Sequence, residues 1–335
     1  MLHVALVGFG LSGRYLQGPF FQVSPHYHLK TVVTQSSNPK EVFPEVEVAR
    51  SLDEVLNDPT IDLVSICSPN VTHFDYAQRA LLAGKHILVE KPFTSSVEEA
   101  ETLIALAKKQ GKVLSVFQNR RFDSDFLTVK KVVESGMLGE LLSYEAHFDR
   151  YRPVLSPKKW KEVADPGTGT LFDLGAHLID QTLTLFGKPQ SVWGHSFTQR
   201  ENSQIADAFD IRMDYGTLKV TLKSSLLVRE DSPRHVLHGR LGSFIKYGMD
   251  VQEDQSKAFM LPNAPDFGKE PASQRGILHT EFNGLAFRGH LETVTGNWWF
   301  LFDNLYKAIT QGEKLLIEPE SILEQLRIME MVSKA

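Results

Sequence analysis

Two hydrophobic patterns divide the chain. In the first, short apolar runs alternate with segments of helical period. HVALVGFG (3–10) is an apolar run closed by glycines, and SGRYLQGPFFQ (12–22) follows with helical character. HLKTVVTQS (28–36) reads as a second strand. SLDEVLNDP (51–59) has an N-cap serine, a helical body and a proline stop. IDLVSICSP (61–69) is a strand bounded by Pro69, and THFDYAQRALLAG (72–84) is a helix closed by Gly84. KHILVEKP (85–92), SVEEAETLIALAKKQG (96–111) and KVLSVFQNR (112–120) continue as strand, helix and strand. Repeated β-α-β order with wholly apolar strands predicts a parallel sheet covered on both faces. The reading is a doubly wound α/β Rossmann domain over residues 1–121.

The second pattern begins at residue 122. SDFLTVKKVVESGML (124–138) predicts a helix and GELLSYEAHFDR (139–150) a strand. SVWGHSFTQR (191–200), DAFDIRMDY (207–215), TLKVTLKSSLLV (217–228) and RHVLHGRLGSFIKYG (234–248) alternate with period two between turn residues. They predict a large, mostly antiparallel open sheet. Residues 253–275, polar and rich in Pro and Gly, read as a long loop. Residues 297–312 and 319–335 read as closing helices, expected to pack near the first domain. Residues 122–335 are thus an α+β domain for substrate and dimerisation.

Between the first strand and the rest lies LFDLGAHLIDQTLTLFG (171–187), an apolar helix interrupted by Asp173, His177 and Asp180. Positions i, i+4 and i+7 share a helix face. At roughly 100° per residue the three fall within about 60° of one another. A structural cluster holding His177 between two carboxylates would explain the stripe, but titratable groups also gather at active sites. No second His lies on that turn and the chain has one Cys, so no metal is expected there.

Composition narrows the classes. Of 335 residues, 42% are hydrophobic and 23% charged, as in a soluble globular protein of about two domains. The formal net charge of −5 and the scattered Lys and Arg give no basic stripe, so no nucleic-acid partner is expected. No apolar run approaches the ~18 residues of a membrane span. The chain opens on a strand pattern without a basic leader or cleavage site, and Cys67 has no intrachain partner. A cytoplasmic location, without membrane attachment, is expected.

GFGLSG places Gly8, Gly10 and Gly13 in GxGxxG spacing, after a strand and before a helix. The first glycine makes the tight turn, the second admits a pyrophosphate to the backbone, and the third packs helix on strand. Phe9, Leu11 and Ser12 complete the loop as cofactor contacts. An acidic residue about 20 positions further on would bind the ribose 2′-hydroxyl of NAD. The stretch His28–Lys40 contains none. Gln35, Ser36, Ser37 and Lys40 instead offer donors and charge to a 2′-phosphate, with Arg14 as a further contributor. NADP is the expected cofactor, with NAD possible. Two further segments end parallel strands, where such sheets bind ligands. SPNVTH offers Ser68, Pro69, Asn70 and His73, and EKP offers Glu90 and Lys91, with Lys91 pinned by Pro92.

GFGLSG, SPNVTH, EKP and DLGAHLID in this order resemble the Gfo/Idh/MocA oxidoreductase family over essentially the whole chain. The resemblance implies a Rossmann domain followed by an α/β domain whose open sheet commonly forms a dimer interface. It also implies NAD(P)-dependent oxidation or reduction of sugars, polyols or their relatives. Lys91 corresponds to the catalytic lysine of EKP, Asp173 and His177 to the pair holding the reacting carbinol, and Asp180 to an acidic partner one turn on. NRRFDSDFLTVKKVV, FDRYRP and SFIKYGMDVQED are similar to the NADP-dependent scyllo-inositol dehydrogenase branch. Gln118 and Phe122 depart from the HNRRW of that branch, and the chain beyond about residue 255 matches it poorly.

The expected reaction moves a hydride between nicotinamide C4 and a secondary hydroxyl or ketone of an inositol-like polyol or sugar. His177, with an ordinary pKa of about 6.5, suits proton exchange near neutrality. Cationic Lys91 would stabilise the alkoxide and Asp173 would orient the substrate. Asn119 and Arg121 are candidates for substrate or nicotinamide contact. Tyr151, Arg152 and Trp160, then Asn297 and Trp298, are further candidates. An aldose or anhydro-sugar reductase is the alternative enzyme. A non-catalytic sensor of NADP and sugars is the alternative of another class. A homodimer or higher oligomer built on the second sheet is expected.

Overall fold

The computed structural model describes residues 1–156, 162 and 167–334. The chain forms two compact units that interleave in sequence. The first takes Met1–Asn119, Gln252–Phe267 and Trp298–Leu323, and the second takes Arg120–Val251, Gly268–Asn297 and Glu324–Ala335. The segments Gln252–Phe267 and Trp298–Leu323, expected within residues 122–335 with the closing helices near the first domain, group with the first unit.

The first unit is built on six parallel strands: β1 (Leu2–Val7), β2 (Tyr27–Val33), β3 (Glu47–Ala49), β4 (Leu63–Ile66), β5 (His86–Val89) and β6 (Leu114–Val116). Their order, β3-β2-β1-β4-β5-β6, is the doubly wound one, reversing between β1 and β4. Val4, Leu6, Val32, Val64, Ile87 and Leu88 are fully buried, as strands covered on both faces require. The helices begin where their caps place them. Ser51 and Glu54 form a capping box on α2 (Leu52–Leu56), reached through α1 (Gly18–Val23). Next come α3 (His73–Leu82) and α4 (Val97–Gln110), the latter capped by Ser96 and ended by Gly111 at φ 62°.

An aromatic cluster explains why the later segments belong here. The Phe20 ring stacks on Phe302 at 4.6 Å and meets Trp299 at 5.0 Å and Phe267 at 5.9 Å. The Tyr27 hydroxyl donates to the Phe302 carbonyl at 2.7 Å. Fully burying each such side chain contributes on the order of 1.5–3 kcal/mol.

The second unit carries eight strands: β7 (Leu141–His147), β8 (Ser191–Phe197), β9 (Ala208–Tyr215), β10 (Leu218–Ser225), β11 (His235–Gly239), β12 (Gly242–Lys246), β13 (Gly276–Phe282) and β14 (Leu285–Leu291). Their order is β14-β13-β12-β11-β7-β10-β9-β8, antiparallel except for β7 with β10. The core sets Val129 and Val132 of α5 (Ser124–Glu134), Leu178 and Ile179 of α6 (Ala176–Phe186), and Met329 and Val332 of α9 (Ile322–Lys334) against Tyr144, Ile211, Val220, Leu237 and Phe244. Alternate residues in register across the other face, including Glu145, Thr221, Arg212 and Trp193, are polar or exposed.

Two expectations are corrected. The stretch 253–275 is not one loop: α7 (Gln252–Lys257) opens it and a short 3-10 turn (Ala272–Gln274) closes it. The hairpin β13–β14 was not anticipated, although its Asn283-Gly284 turn between alternating segments signals one. The helix α8 (Trp299–Gln311) falls where the apolar pattern predicts.

Candidate active site

The glycine loop follows β1 at the point where strand order reverses. The N–H of Gly8 donates to the Val33 carbonyl of β2, and that of Cys67 to the Val7 carbonyl. Gly8 has φ +101°, and a Cβ there would lie 2.7 Å from the Cys67 carbonyl oxygen. At Gly13 a Cβ would lie 2.2 Å from the Gly8 oxygen, so only glycine allows this closeness. At Gly10 a Cβ would meet nothing within 4 Å. That open backbone suits the approach of a pyrophosphate. Leu11 is exposed, and Phe9 packs on Phe43 with ring centroids 5.8 Å apart. The helix that follows starts as a π-helical segment, Ser12–Gln17.

Beneath this loop lies a polar network that sequence reasoning missed. The Ser12 hydroxyl donates to the Glu90 carboxyl. Gln17 Nε2 lies 3.0 Å from Glu90 Oε1 and 3.1 Å from Ser12 Oγ. Ser65 Oγ donates to Gln17 Oε1 at 2.5 Å, and the Lys91 N–H donates to Glu90 Oε2 at 3.0 Å. Withdrawal from water raises the Glu90 pKa above its ordinary value, against the lowering pull of Ser12, Lys91 and Gln17. Cys67, partly buried just beyond β4, has its thiol pushed up by burial and by Glu90. The carboxyl of Glu90, expected to contact cofactor, ties the glycine loop to the Lys91 turn. The Lys91–Pro92 peptide is cis, and Lys91 is half-buried.

His73, also expected at the cofactor, links the neighbouring turns. Its ring is 1% exposed, with Nδ1 2.8 Å from the Pro92 carbonyl and Nε2 3.0 Å from that of Ser68. It joins the two strand-end turns, and burial holds its pKa low. Ser68 shares a hydrogen bond with Thr72 at 2.6 Å, Pro69 is exposed, and Asn70 begins a 3-10 turn. At the end of β2, Gln35, Ser36 and Lys40 are exposed and Ser37 is half-buried. Gln35 Nε2 donates to the Arg50 carbonyl at 2.5 Å, and the Ser37 N–H to Thr34 Oγ1 at 3.4 Å. Arg14 lies 5.2 Å from the Tyr15 ring centroid and 5.9 Å from that of Phe259.

In the second unit the three residues of the expected stripe differ in exposure. Leu171–Gly175 is π-helical and α6 begins only at Ala176. The wider i→i+5 spacing moves residues before it around the axis. His177 and Asp180 are 4% and 2% exposed, but the Asp173 side chain is 57% exposed. Asp173 Oδ2 lies 4.0 Å from Arg150 Nη1. Asp180 is gripped by Arg121 through Nε at 2.8 Å and Nη2 at 2.6 Å. Burial lowers the Arg121 pKa, but the Asp180 charge and hydrogen bonds outweigh it and hold the guanidinium above its ordinary value. Arg121, expected to meet substrate, thus fixes α6 to the 3-10 turn Asn119–Phe122. Gln181 reinforces this with a 2.9 Å bond to the Arg120 carbonyl.

The remaining candidates differ in burial. Asn119 is 4% exposed and closes the first unit. Gln118 is buried, as is Phe122, whose carbonyl accepts from the Asn297 N–H at 2.9 Å. Tyr151 is exposed, with Arg229 stacked 4.2 Å from its ring centroid. Arg152 is exposed too. Trp298 is fully buried beside Phe20, a core position rather than a ligand contact. Trp160 lies outside the described residues. Among the described residues, no group of three or more His, Cys, Asp or Glu is placed to hold a metal, and no helix is long and apolar enough to cross a membrane.

Comparison with known proteins agrees with this geometry. Residues 2–118 match the Gfo/Idh/MocA "Oxidoreductase family, NAD-binding Rossmann fold", and residues 130–335 its "C-terminal alpha/beta domain". The chain is 37% identical over 330 residues to scyllo-inositol 2-dehydrogenase (NADP(+)) IolW of Bacillus subtilis, covering 98% of this chain and 92% of that protein. It is 38% identical over 335 residues to the oxidoreductase YhhX of Escherichia coli, covering 98% and 95%. The structure of the B. subtilis oxidoreductase yvaA superposes with a TM-score of 0.95 at 37% identity, covering 98% of this chain and 94% of that one. The chain belongs to the Gfo/Idh/MocA family of oxidoreductases.

Proposed function

We propose that this protein is an NADP-dependent dehydrogenase or reductase acting on a secondary hydroxyl or ketone of a cyclic, inositol-like polyol or sugar. The observation that carries this reading is the end of β2: no carboxylate follows it through Lys40, and Ser36 and Ser37 stand where NAD enzymes place an acid. The relative named as an NADP(+)-dependent scyllo-inositol dehydrogenase supports both halves of the proposal. NADP, when bound, supplies the nicotinamide carbon that gives or takes the hydride. Gly8, Gly10 and Gly13 leave backbone open to its pyrophosphate. Lys91 stabilises negative charge developing on the substrate oxygen, His177 exchanges the hydroxyl proton, and Asp173 orients the sugar. The protein acts in the cytoplasm as a homodimer or higher oligomer built on the exposed face of the second sheet.

A second substrate class, anhydro-sugars, is favoured by one observation. A 209-residue stretch is 30% identical to the levoglucosan dehydrogenase of Pseudarthrobacter phenanthrenivorans. A steady-state screen over inositols, aldoses and anhydro-sugars, with NADPH or NADP+ and with NADH or NAD+, tests the proposal. The expected result is turnover of one inositol-like compound with higher kcat/KM for NADP(H), erased or reversed by Ser36→Asp. Equal use of both cofactors, or preference for NAD(H), overturns the cofactor assignment.

A further inference from the structure

A cation lies at the end of β2 that the GxGxxG reading does not include. β3 runs parallel to β2 in the register Thr31↔Glu47, Val32↔Val48 and Val33↔Ala49. The pairing continues one step beyond the strands, where the Thr34 N–H donates to the Ala49 carbonyl at 3.1 Å. Arg50 is therefore delivered beside Thr34 and Gln35. Its guanidinium is anchored there, with Nη1 donating to the Thr34 carbonyl at 2.9 Å. Its backbone is held from both sides: Gln35 Nε2 donates to the Arg50 carbonyl at 2.5 Å, and the Arg50 N–H donates to Glu54 Oε1 at 3.1 Å. Glu54 is also bonded by the Ser51 N–H and hydroxyl, both at 2.9 Å, as the α2 cap.

We propose that Arg50 is a specificity-determining residue, binding the 2′-phosphate of NADP at the end of β2. This rests on the NADP reading given above. One of the five guanidinium N–H donors is spent on Thr34, leaving donors for a phosphate in the planar, forked arrangement that suits it. The side chain is exposed, so an entering phosphate need not displace a buried partner. Gln35 explains the placement. It stands in the strand-end stretch that carries an acid in NAD enzymes, and here its amide clamps the backbone of the cation. Lys40, the cation that spacing suggests, sits in the 3-10 turn Pro39–Glu41. Among the described residues no hydrogen bond or ion pair fixes its ammonium. A guanidinium already held in place loses less conformational freedom on binding than a free lysine.

The test is binding to the full-length protein, with adenosine 2′,5′-bisphosphate and 5′-AMP as probes that differ only in the 2′-phosphate, and NADPH and NADH as whole cofactors. Calorimetry or ligand fluorescence gives each Kd. Arg50→Gln is expected to weaken 2′,5′-bisphosphate and NADPH binding about 10- to 100-fold, the range for losing a charged hydrogen-bonding partner. AMP and NADH binding should stay within about twofold, which also shows that the site remains folded. Arg50→Lys should recover part of the loss. If the wild-type protein prefers the 2′-phosphorylated probe and Arg50→Gln leaves that preference intact while Lys40→Ala removes it, the Arg50 assignment is overturned and the NADP reading survives. If Arg50→Gln weakens all four ligands alike, Arg50 is a strap on the β2 end and the assignment is likewise overturned. If the wild-type protein does not distinguish the two probes, the NADP reading itself fails.

Discussion

The two units treat a withdrawn carboxyl group in opposite ways. Beneath the glycine loop, Glu90 is met by neutral donors: the Ser12 hydroxyl, the Gln17 amide and the Lys91 N–H. Burial raises its pKa. Under the second sheet, Asp125 is fully buried and faces Arg234 at 3.2 Å and His235 at 3.3 Å, with Lys246 contributing charge. Burial alone would raise its pKa, but the His235 hydrogen bond and the Arg234 charge overcome it, and the carboxyl titrates well below the usual range. The ionic theme continues in that unit. Lys246 pairs with Glu270 at 2.8 Å, Arg121 grips Asp180, and Arg200 pairs with Asp207 at 2.8 Å. Neutral hydrogen bonds can rearrange around a bound phosphate at small electrostatic cost, whereas a buried ion pair that loses one member leaves a bare charge. The first unit keeps adjustable polarity under its ligand loop, and the second spends charge on holding its helices and strands in place.

That contrast can be broken hardest on α6, where Asp180 and the proposed proton-exchanging His177 are three residues apart. If Asp180 is scaffold and His177 exchanges a proton, His177→Gln should leave folding and NADPH affinity nearly unchanged while kcat falls about 10²- to 10⁴-fold. Lys91→Met should lower kcat over a similar range through loss of the charge facing the substrate oxygen. Steady-state rates, cofactor titration and thermal melting on each variant check this. A soluble, cofactor-binding His177→Gln protein with near-native turnover would remove the catalytic reading of the helix.

The next largest effect belongs to the ionic cluster. Asp125→Asn should cost about 3–5 kcal/mol of unfolding free energy, because buried Arg234 keeps its charge without its acid. Acid should weaken the same cluster. His235 is buried with its pKa lowered to about 4, so it remains neutral in the folded state while an unfolded histidine gains a proton from about pH 6.5 downward. Its contribution is complete above that value and is lost as pH falls toward about 4. Asp125, also depressed, adds its loss only as pH falls below the ordinary Asp value of about 3.9. Urea unfolding at a series of pH values should therefore show stability falling below about pH 6.5, at up to about 1.4 kcal/mol per pH unit for His235. A flat profile between pH 6.5 and 4 would contradict the neutral burial of His235.

These two networks also mark what a single sequence can disclose. The GFGLSG loop and the strand-closing EKP are contiguous, and each residue's expected place follows from glycine sterics and strand order; the six-stranded sheet confirms that order. The β13–β14 hairpin was legible too, through Asn283 and Gly284, had its alternation been read. The polar networks were not. Ser12 and Glu90 are 78 residues apart, and Asp125 and Arg234 are 109 apart. Nothing local in either segment says which side chains turn inward to meet. The exposure of Asp173 was hidden for a different reason. Helical spacing assumes a uniform i→i+4 ladder, and the π-helical Leu171–Gly175 segment breaks that assumption just before His177.

The smallest expected effect sharpens the comparison most finely, because it asks whether Glu90 needs its charge at all. Its raised pKa means that the folded state holds the proton more tightly than the unfolded chain. The stabilisation is full below the unfolded Glu value of about 4.3 and is lost as pH rises through the folded value. Glutamine keeps one acceptor oxygen for the Ser12 hydroxyl but sets an amide donor against the Lys91 N–H. Glu90→Gln should therefore cost about 1–3 kcal/mol of unfolding free energy at neutral pH, the scale of one buried donor left unsatisfied and below that of Asp125→Asn. It should also flatten any decline in stability from acid toward neutral pH. Chemical denaturation of Glu90→Gln beside Asp125→Asn measures both. If the two substitutions cost the same, Glu90 is an ionic anchor like Asp125, and the distinction between a neutral loop network and a charged scaffold falls.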